Sequence, residues 1–319
     1  MLRNKCRVCH QLLFEQPLLK YENMPKSAQF FPDESTLHKD KGEDLEICQC
    51  SGCGLVQLNN EPVHYYKEVI RAAGISVEMT DFRRQQFSNW VEKYSLKNKK
   101  IIEIGCGAGE YLHVMAESKI NAYGIEQSLD SVGQCISKGL NVKQDFIECS
   151  EQTIENGPFD AFFMLNFLEH LPDPNSTLSG IVNNLTDGAI GLIEVPNFDM
   201  ILRNNLFSEF ISDHLFYFTK DSFISTLARN GLDVIECNEV WHDYSISAVV
   251  KKRMKTDLSI FASHQQRLTN EIEAFISQFP DNGVAVWGAG HQALAVMALA
   301  GVRRNIKYVV DSAPFKQNK

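Results

Sequence analysis

The amino-acid sequence predicts an α/β fold: an open, mostly parallel sheet of the nucleotide-binding kind, preceded by a cysteine-rich module and followed by a partial second βαβ unit. Three observations predict it. Two Cys-x2-Cys pairs stand at Cys6/Cys9 and Cys50/Cys53. A β-branched run, Lys100-Ile-Ile-Glu103-Ile, ends in a glycine-rich turn. Beyond it, short apolar runs alternate with helical patterns, the arrangement of parallel strands joined by crossover helices.

Length and composition set the frame. A chain of 319 residues has room for about two domains, and the pattern divides it into residues 1–75, 76–252 and 253–319. Apolar residues make up 44% and charged residues 22%, enough to bury a substantial core. The net charge of −9 argues against a nucleic-acid partner, which calls for a basic face. The opening MLRNKCRVCH has no apolar h-region, so no secretory signal is expected. No apolar run reaches the ~18 residues of a membrane span. The nine cysteines are an odd number for a disulfide framework, and a reducing cytoplasm is expected.

Each Cys-x2-Cys pair can sit on a tight turn with both thiolates facing one point, and two such turns make the tetrahedral sulfur set that zinc prefers. Cys6, Cys9, Cys50 and Cys53 are therefore the expected ligands of a structural Zn2+, with Cys48 or His10 as alternates. Residues 17–45, rich in Pro, Asp, Glu and Lys, are expected to loop out and return. Four filled positions leave none open for catalysis.

Residues 76–95 carry Phe87, Trp90, Val91 and Tyr94 on one helical stripe. The following turn, Glu103-Ile-Gly105-Cys-Gly107-Ala-Gly109-Glu110, lacks the third glycine of a dinucleotide fingerprint, since Glu110 stands in its place. The pattern E-x-G-x-G-x-G instead resembles motif I of the class I S-adenosylmethionine-dependent methyltransferases, in which the glycines let backbone approach the amino-acid part of the cofactor. Glu126 ends the next strand twenty-one residues after Gly105, where a carboxylate can accept the two ribose hydroxyls. Asp145 and Phe146 follow a third strand and fit an adenine contact. Residues 159–165 read as a fourth strand. They lead into Asn166-Phe-Leu-Glu169-His170-Leu-Pro-Asp173-Pro, which resembles the EHLPDP segment of the same enzymes; Asn166 and His170 are expected at the cofactor pocket. A fifth strand at 189–197, helices near 175–185 and 219–230, and an antiparallel pair at 232–251 complete the predicted domain.

Asp213-His214-Leu-Phe-Tyr217-Phe218 extends the resemblance. With the cysteine pairs, motif I, Glu194-Val-Pro196 and Val286-Trp-Gly288-Ala-Gly290, the chain resembles nearly end to end the nucleotide-sugar C-methyltransferases, which join a zinc module, a methyltransferase domain and a C-terminal Rossmann-like domain. The resemblance implies a nucleotide-linked 4-keto sugar as substrate and His214 as the base that removes the proton at C3. It also implies Asp213 in the place of the family's Glu, Tyr217 in the catalytic segment, and a family tyrosine at Tyr65 or Tyr66. Imidazole titrates near neutrality and suits that task. The chain departs from the family at Ile211, where a tyrosine is usual, at 241–245, where an HGGS-R segment is missing, and at Gln292, which replaces a lysine. His242 and Tyr244 are reserve candidates.

Residues 255–279 read as a connecting helix. The pattern G-x-G-x-x-A at 288–293, with Asp311 at the next strand end, fits a dinucleotide turn and supports a rival role as an NAD-binding or non-catalytic protein. A single βαβ unit cannot cover both faces of its sheet, so it is expected either to lean on the methyltransferase domain or, the favoured reading, to continue in a longer natural chain. O- or N-methylation of another small molecule is the other alternative.

Overall fold

The computed structural model describes residues 4–26, 29, 31–68, 75–302 and 305–316, and the chain separates into two compact units, Met1–Met254 and Lys255–Lys319. The cysteine module and the central sheet both lie within the first unit. The expected boundary between them at 75/76 adjoins residues 69–74, which lie outside the described residues.

The N-terminal module contributes β1 (Leu19–Met24), β2 (Glu43–Gln49) and β3 (Val56–Leu58). The stretch expected to be a plain loop thus contains a strand, because Leu19, Lys20 and Tyr21 pair antiparallel with Ile47, Glu46 and Leu45. Local composition hid this pairing: β1 is mostly exposed and polar, and its partner supplies the order.

The central domain then runs through α1 (Val77–Lys93), β4 (Lys100–Ile104), α2 (Glu110–Ala116), β5 (Asn121–Glu126), α3 (Leu129–Ser137), β6 (Val142–Gln144), β7 (Phe159–Leu165), α4 (Pro174–Asn183) and β8 (Leu185–Pro196). It continues with α5 (Phe198–Arg203), β9 (Phe216–Tyr217), α6 (Lys220–Arg229), β10 (Leu232–Val240) and β11 (Ser245–Lys252). The sheet order is β10-β11-β8-β7-β4-β5-β6. Strands β4 to β8 run parallel to one another, and β11 runs antiparallel to β8 and β10. From β4 the chain moves outward to β5 and β6, then returns to the other side of β4 with β7 and β8. The carboxyl ends of β4 and β7 therefore flank a topological switch point, where open α/β sheets bind ligands.

β7 reads FDAFFML because both faces of this parallel sheet are covered. Alternate residues serve opposite cores: Phe162 and Met164 pack with Leu178, Ile181 and Phe223, whereas Phe163 and Leu165 pack with Phe87, Trp90 and Leu112. Helix starts carry local stops. Ser76 accepts from the Met79 N–H, Asp173 accepts from Ser176 with Pro174 at the first helical position, and Thr219 and Ser222 form a reciprocal capping box. Tyr94, expected on the buried stripe of α1, is its C-cap residue and only half-buried.

A second sheet has the order β1-β2-β3-β9, with Val56 opposite Tyr217 and Gln57 opposite Phe216. This short pairing joins the cysteine module to the segment that carries Asp213 and His214. Among the described residues no helix is long and apolar enough to cross a membrane. The second unit holds α7 (Ser259–Ile276), β12 (Val284–Trp287), α8 (His291–Leu299) and β13 (Ile306–Val310), with β12 and β13 parallel.

α1 is held to the sheet by a buried ion pair. Arg83 Nη1 lies 2.6 Å from Glu194 Oε2, with side-chain exposures of 1% and 0%. Gln86 bridges the two, accepting from Arg83 at 2.7 Å and donating to Glu194. Removing one partner strands the other charge in the core. Arg83→Ala should destabilise the protein by about 3–5 kcal/mol in urea unfolding, and a paired replacement of Arg83 and Glu194 by Met should recover most of the loss.

Candidate active site

A cleft of about 580 Å³ opens at the switch point. Its walls come from the glycine turn after β4, the carboxyl end of β7, α1, and the loops that carry Asp213 and Tyr244. Gly105, Gly107 and Gly109 all have positive φ, of 71°, 55° and 80°. Two of them are also sterically required: a Cβ on Gly105 would come within 3.1 Å of the Phe167 ring, and one on Gly109 within 2.5 Å of Leu140 Cδ1. Gly107 has open space instead, and its N–H donates to Glu126 Oε2 at 2.9 Å. The other Glu126 oxygen accepts from the Ser128 N–H at 2.9 Å. Burial raises the Glu126 pKa, and these backbone donors oppose the rise. Glu126 therefore sits between the glycine turn and the start of α3, where a carboxylate can meet paired hydroxyls.

Asp145 and Phe146 line a narrow hollow beside Glu126, together with Lys67, Ile147 and Phe167. Lys67 sits 5.1 Å from the centre of the Phe146 ring, and the hollow holds only about 10 Å³, too little for a flat ring as it stands. Asp145 accepts from the Phe146 N–H and from Gln152 Nε2. Asn166 follows β7 in the left-handed region at φ 50° and lines the cleft. Glu103 is buried on β4 at 2% exposure and does not line the cleft.

The floor of the cleft gathers Glu169, His170, Asp213 and His214. His170 Nδ1 is 2.8 Å from the Asp213 carbonyl oxygen, which only accepts, so Nδ1 carries the proton and Nε2 keeps its lone pair. Asp213 Oδ1 accepts from the Tyr65 hydroxyl at 2.6 Å. Of the two tyrosines considered from the sequence, Tyr65 is the one that reaches this site. The His170 and His214 rings meet edge to face at 4.8 Å. Burial lowers the pKa of both, and for His214 the neighbouring His170 lowers it further, so both rings are neutral at pH 7. Burial pushes the Glu169 carboxyl up to about 8. The Leu215 N–H donates to the Glu169 carbonyl at 2.8 Å and locks the two segments together.

Other expected residues fall elsewhere. Tyr217 is buried among Phe198, Phe210 and the β2–β3 residues, and its hydroxyl is engaged by the backbone of Ile211. It does not line the cleft, because its place in β9 turns it towards the second sheet. His242 is exposed beside Glu78 in a turn where Trp241, His242 and Asp243 all have positive φ, whereas Trp241 and Tyr244 line the cleft. Sequence reasoning did not single out Arg83, Phe167 or Glu169 as cleft residues. Glu169 was within reach, as it precedes His170 in the quoted motif.

Cys6, Cys9, Cys50 and Cys53 bring their sulfurs within 4.8 Å of one another. Cys6 pairs with Cys53 at 3.8 Å and Cys9 with Cys50 at 3.3 Å. Backbone N–H groups of Val8 and Cys9 point at the Cys6 sulfur, and those of Gly52 and Cys53 at the Cys50 sulfur. Cys48 and His10 lie outside this group.

In the second unit the Asp311 carboxylate accepts from the N–H groups of Ala289 and Ala313 and meets Lys316 Nζ at 3.1 Å. These contacts lower its pKa to about 2.

Residues 79–237 match the family described as Methyltransferase domain. The chain is similar to C-methyltransferase NovU of Streptomyces niveus, with 21% identity across 99% of this chain and 83% of that protein. It is also similar to ubiquinone biosynthesis O-methyltransferases. The one from Colwellia psychrerythraea is 26% identical over 44% of this chain and 60% of its own length. The one from Pseudomonas aeruginosa is 34% identical over 28% and 41%. A solved S-adenosylmethionine-dependent methyltransferase from Clostridium acetobutylicum is 14% identical, covers 60% of this chain and 97% of its own, and superposes with a TM-score of 0.45. With the methyltransferase-domain match lying on the sheet and its switch-point cleft, the chain is an S-adenosylmethionine-dependent methyltransferase.

Proposed function

We infer that the enzyme methylates a carbon of a nucleotide-linked keto sugar, with His214 as the base. The observation that carries this reading is the floor of the cleft: a neutral, half-buried imidazole beside His170, with Asp213 fixed by Tyr65. The near-full-length similarity to a C-methyltransferase supports it, whereas the O-methyltransferases align over less than half of the chain.

S-adenosylmethionine supplies an electrophilic methyl group on a sulfonium centre. The turn at Gly105, Gly107 and Gly109 would hold the amino-acid end of the cofactor, with Glu103 supporting the turn from within β4. Glu126 would accept the ribose hydroxyls, Asp145 and Phe146 would flank the base, and Asn166 and His170 would border the methyl-transfer site. His214 would take the proton next to the carbonyl of the acceptor, and the resulting enolate carbon would accept the methyl group as its bond to sulfur breaks and the neutral thioether leaves. Asp213 and Tyr65 are positioning residues that set the loop bearing His214. Tyr217 has a structural part in this scheme. The acidic groups Glu110 and Asp213 along the cleft suit a cationic cofactor.

The four cysteines fit a structural Zn2+. Four thiols converge, and N–H groups aimed at sulfur are the support that thiolate ligands call for. The ion would hold the turns that carry β2 and β3. Chelation should therefore raise amide exchange in β2 and β3 and, through the β3–β9 pairing, in residues 213–217, while β4, β5 and β7 stay protected. Uniform loss of protection, or none, would count against this arrangement.

For the reaction, the zinc-loaded protein would be assayed with labelled S-adenosylmethionine against keto-sugar nucleotides and their 4-hydroxy counterparts. Label should pass to carbon of the keto compounds only, and His214→Ala should slow transfer by about 10²–10⁴-fold. Methylation of the hydroxy compounds on oxygen, unaffected by His214→Ala, would establish O-methylation instead.

A further inference from the structure

The floor of the cleft also has the donor set of a cation site separate from the cysteines. Glu169, His170 and His214 each offer a ligand atom, and these atoms lie within 4.8 Å of one another. His170 Nε2 is 3.8 Å from Glu169 Oε1. The tautomer is favourable: His170 gives its Nδ1 proton to the Asp213 carbonyl, the outer contact that metal-bound histidines use to present the opposite nitrogen. Glu169 is 1% exposed, yet its Oε2 has no hydrogen-bond partner among the described residues. A buried carboxyl oxygen left open at the wall of a cleft lacks something that would satisfy it.

We propose that Glu169, His170 and His214 bind a first-row transition-metal dication, and that its binding inhibits methyl transfer by occupying the lone pair of the base. Two imidazoles and one carboxylate suit Zn2+, Co2+, Fe2+ or Mn2+ rather than Mg2+ or Ca2+, which favour all-oxygen sets. Bonds of about 2.0–2.2 Å would draw the three donors closer than they now stand, a side-chain adjustment that half-buried His214 can make. Local charge assists. Asp213 is buried next to the trio, and the fixed cation on the cleft wall, Arg83, is already neutralised by Glu194. The remaining coordination positions face the cleft, where the oxygens of the acceptor would otherwise approach. Binding of the ion follows from this geometry alone, whereas inhibition rests on His214 being the base.

The test titrates Co2+ alone into the zinc-loaded full chain. Cobalt held by nitrogen and oxygen gives weak visible d–d bands, and cobalt held by thiolate adds an intense near-ultraviolet charge-transfer band, so the two sites are told apart in one spectrum. Saturable visible bands without the thiolate band are expected, weakened about tenfold or more by Glu169→Gln or His170→Gln. Absence of bands, appearance of the thiolate band, or bands unchanged in both variants would overturn the site. The wild-type spectrum decides the first two points even if a variant fails to fold. Turnover with a keto-sugar nucleotide should fall in step with cobalt occupancy. Occupancy without loss of turnover would overturn the inhibitory role and count against His214 as the base, while leaving the site itself established.

Discussion

A parallel sheet covered by helices on both faces has nowhere to place reactive polar groups except along its strand ends, and here the strand order reverses between β4 and β7. That reversal keeps α2 and α4 from closing over the carboxyl edge. The glycine turn, Glu126, Asn166 and the Glu169–His170 segment all stand at that edge. Each enters the site because its strand ends there, and the apolar cores on either face hold those ends still. The Arg83–Glu194 pair serves the same purpose from the side, seating α1 against β8 with its guanidinium at the wall of the cleft.

The segment that carries Asp213 and His214 is not supported by the sheet alone. β9 is two residues long and gains its order from β3, so the loop carrying Asp213 and His214 is braced by the cysteine module. Tyr65 adds a second brace from the same side through Asp213. With the Zn2+ and the base proposed above, the cysteine module would be coupled through this strand pairing to the chemistry of a segment distant in sequence, a role that fits a filled tetrahedral site better than a catalytic one.

How much of this was legible depended on how local the cause was. The strands ending at Gly105 and Glu126, the glycine turn and the two cysteine pairs are specified by neighbours in sequence, and the structure places them together as the spacing implies. β1 went unseen because it is polar and takes its order from β2. Tyr217 was misplaced because a motif read in one dimension does not say which sheet a short strand joins. The Tyr65–Asp213 bond spans 148 residues, and the Arg83–Glu194 pair joins two elements whose proximity follows only from the strand order. Glu169 was passed over because a carboxylate in a loop ordinarily faces water, and its burial is a property of the assembled floor.

The central claim is that the switch-point cleft holds S-adenosylmethionine through the glycine turn and Glu126. Calorimetric titration of the zinc-loaded protein with S-adenosylmethionine, and separately with NAD, tests it most directly. Saturable binding of S-adenosylmethionine, weakened about 10–100-fold by Glu126→Ala, with no heat from NAD, is the predicted result. Binding of NAD together with silence towards S-adenosylmethionine would contradict the account and move the ligand site to the turn at residues 288–293.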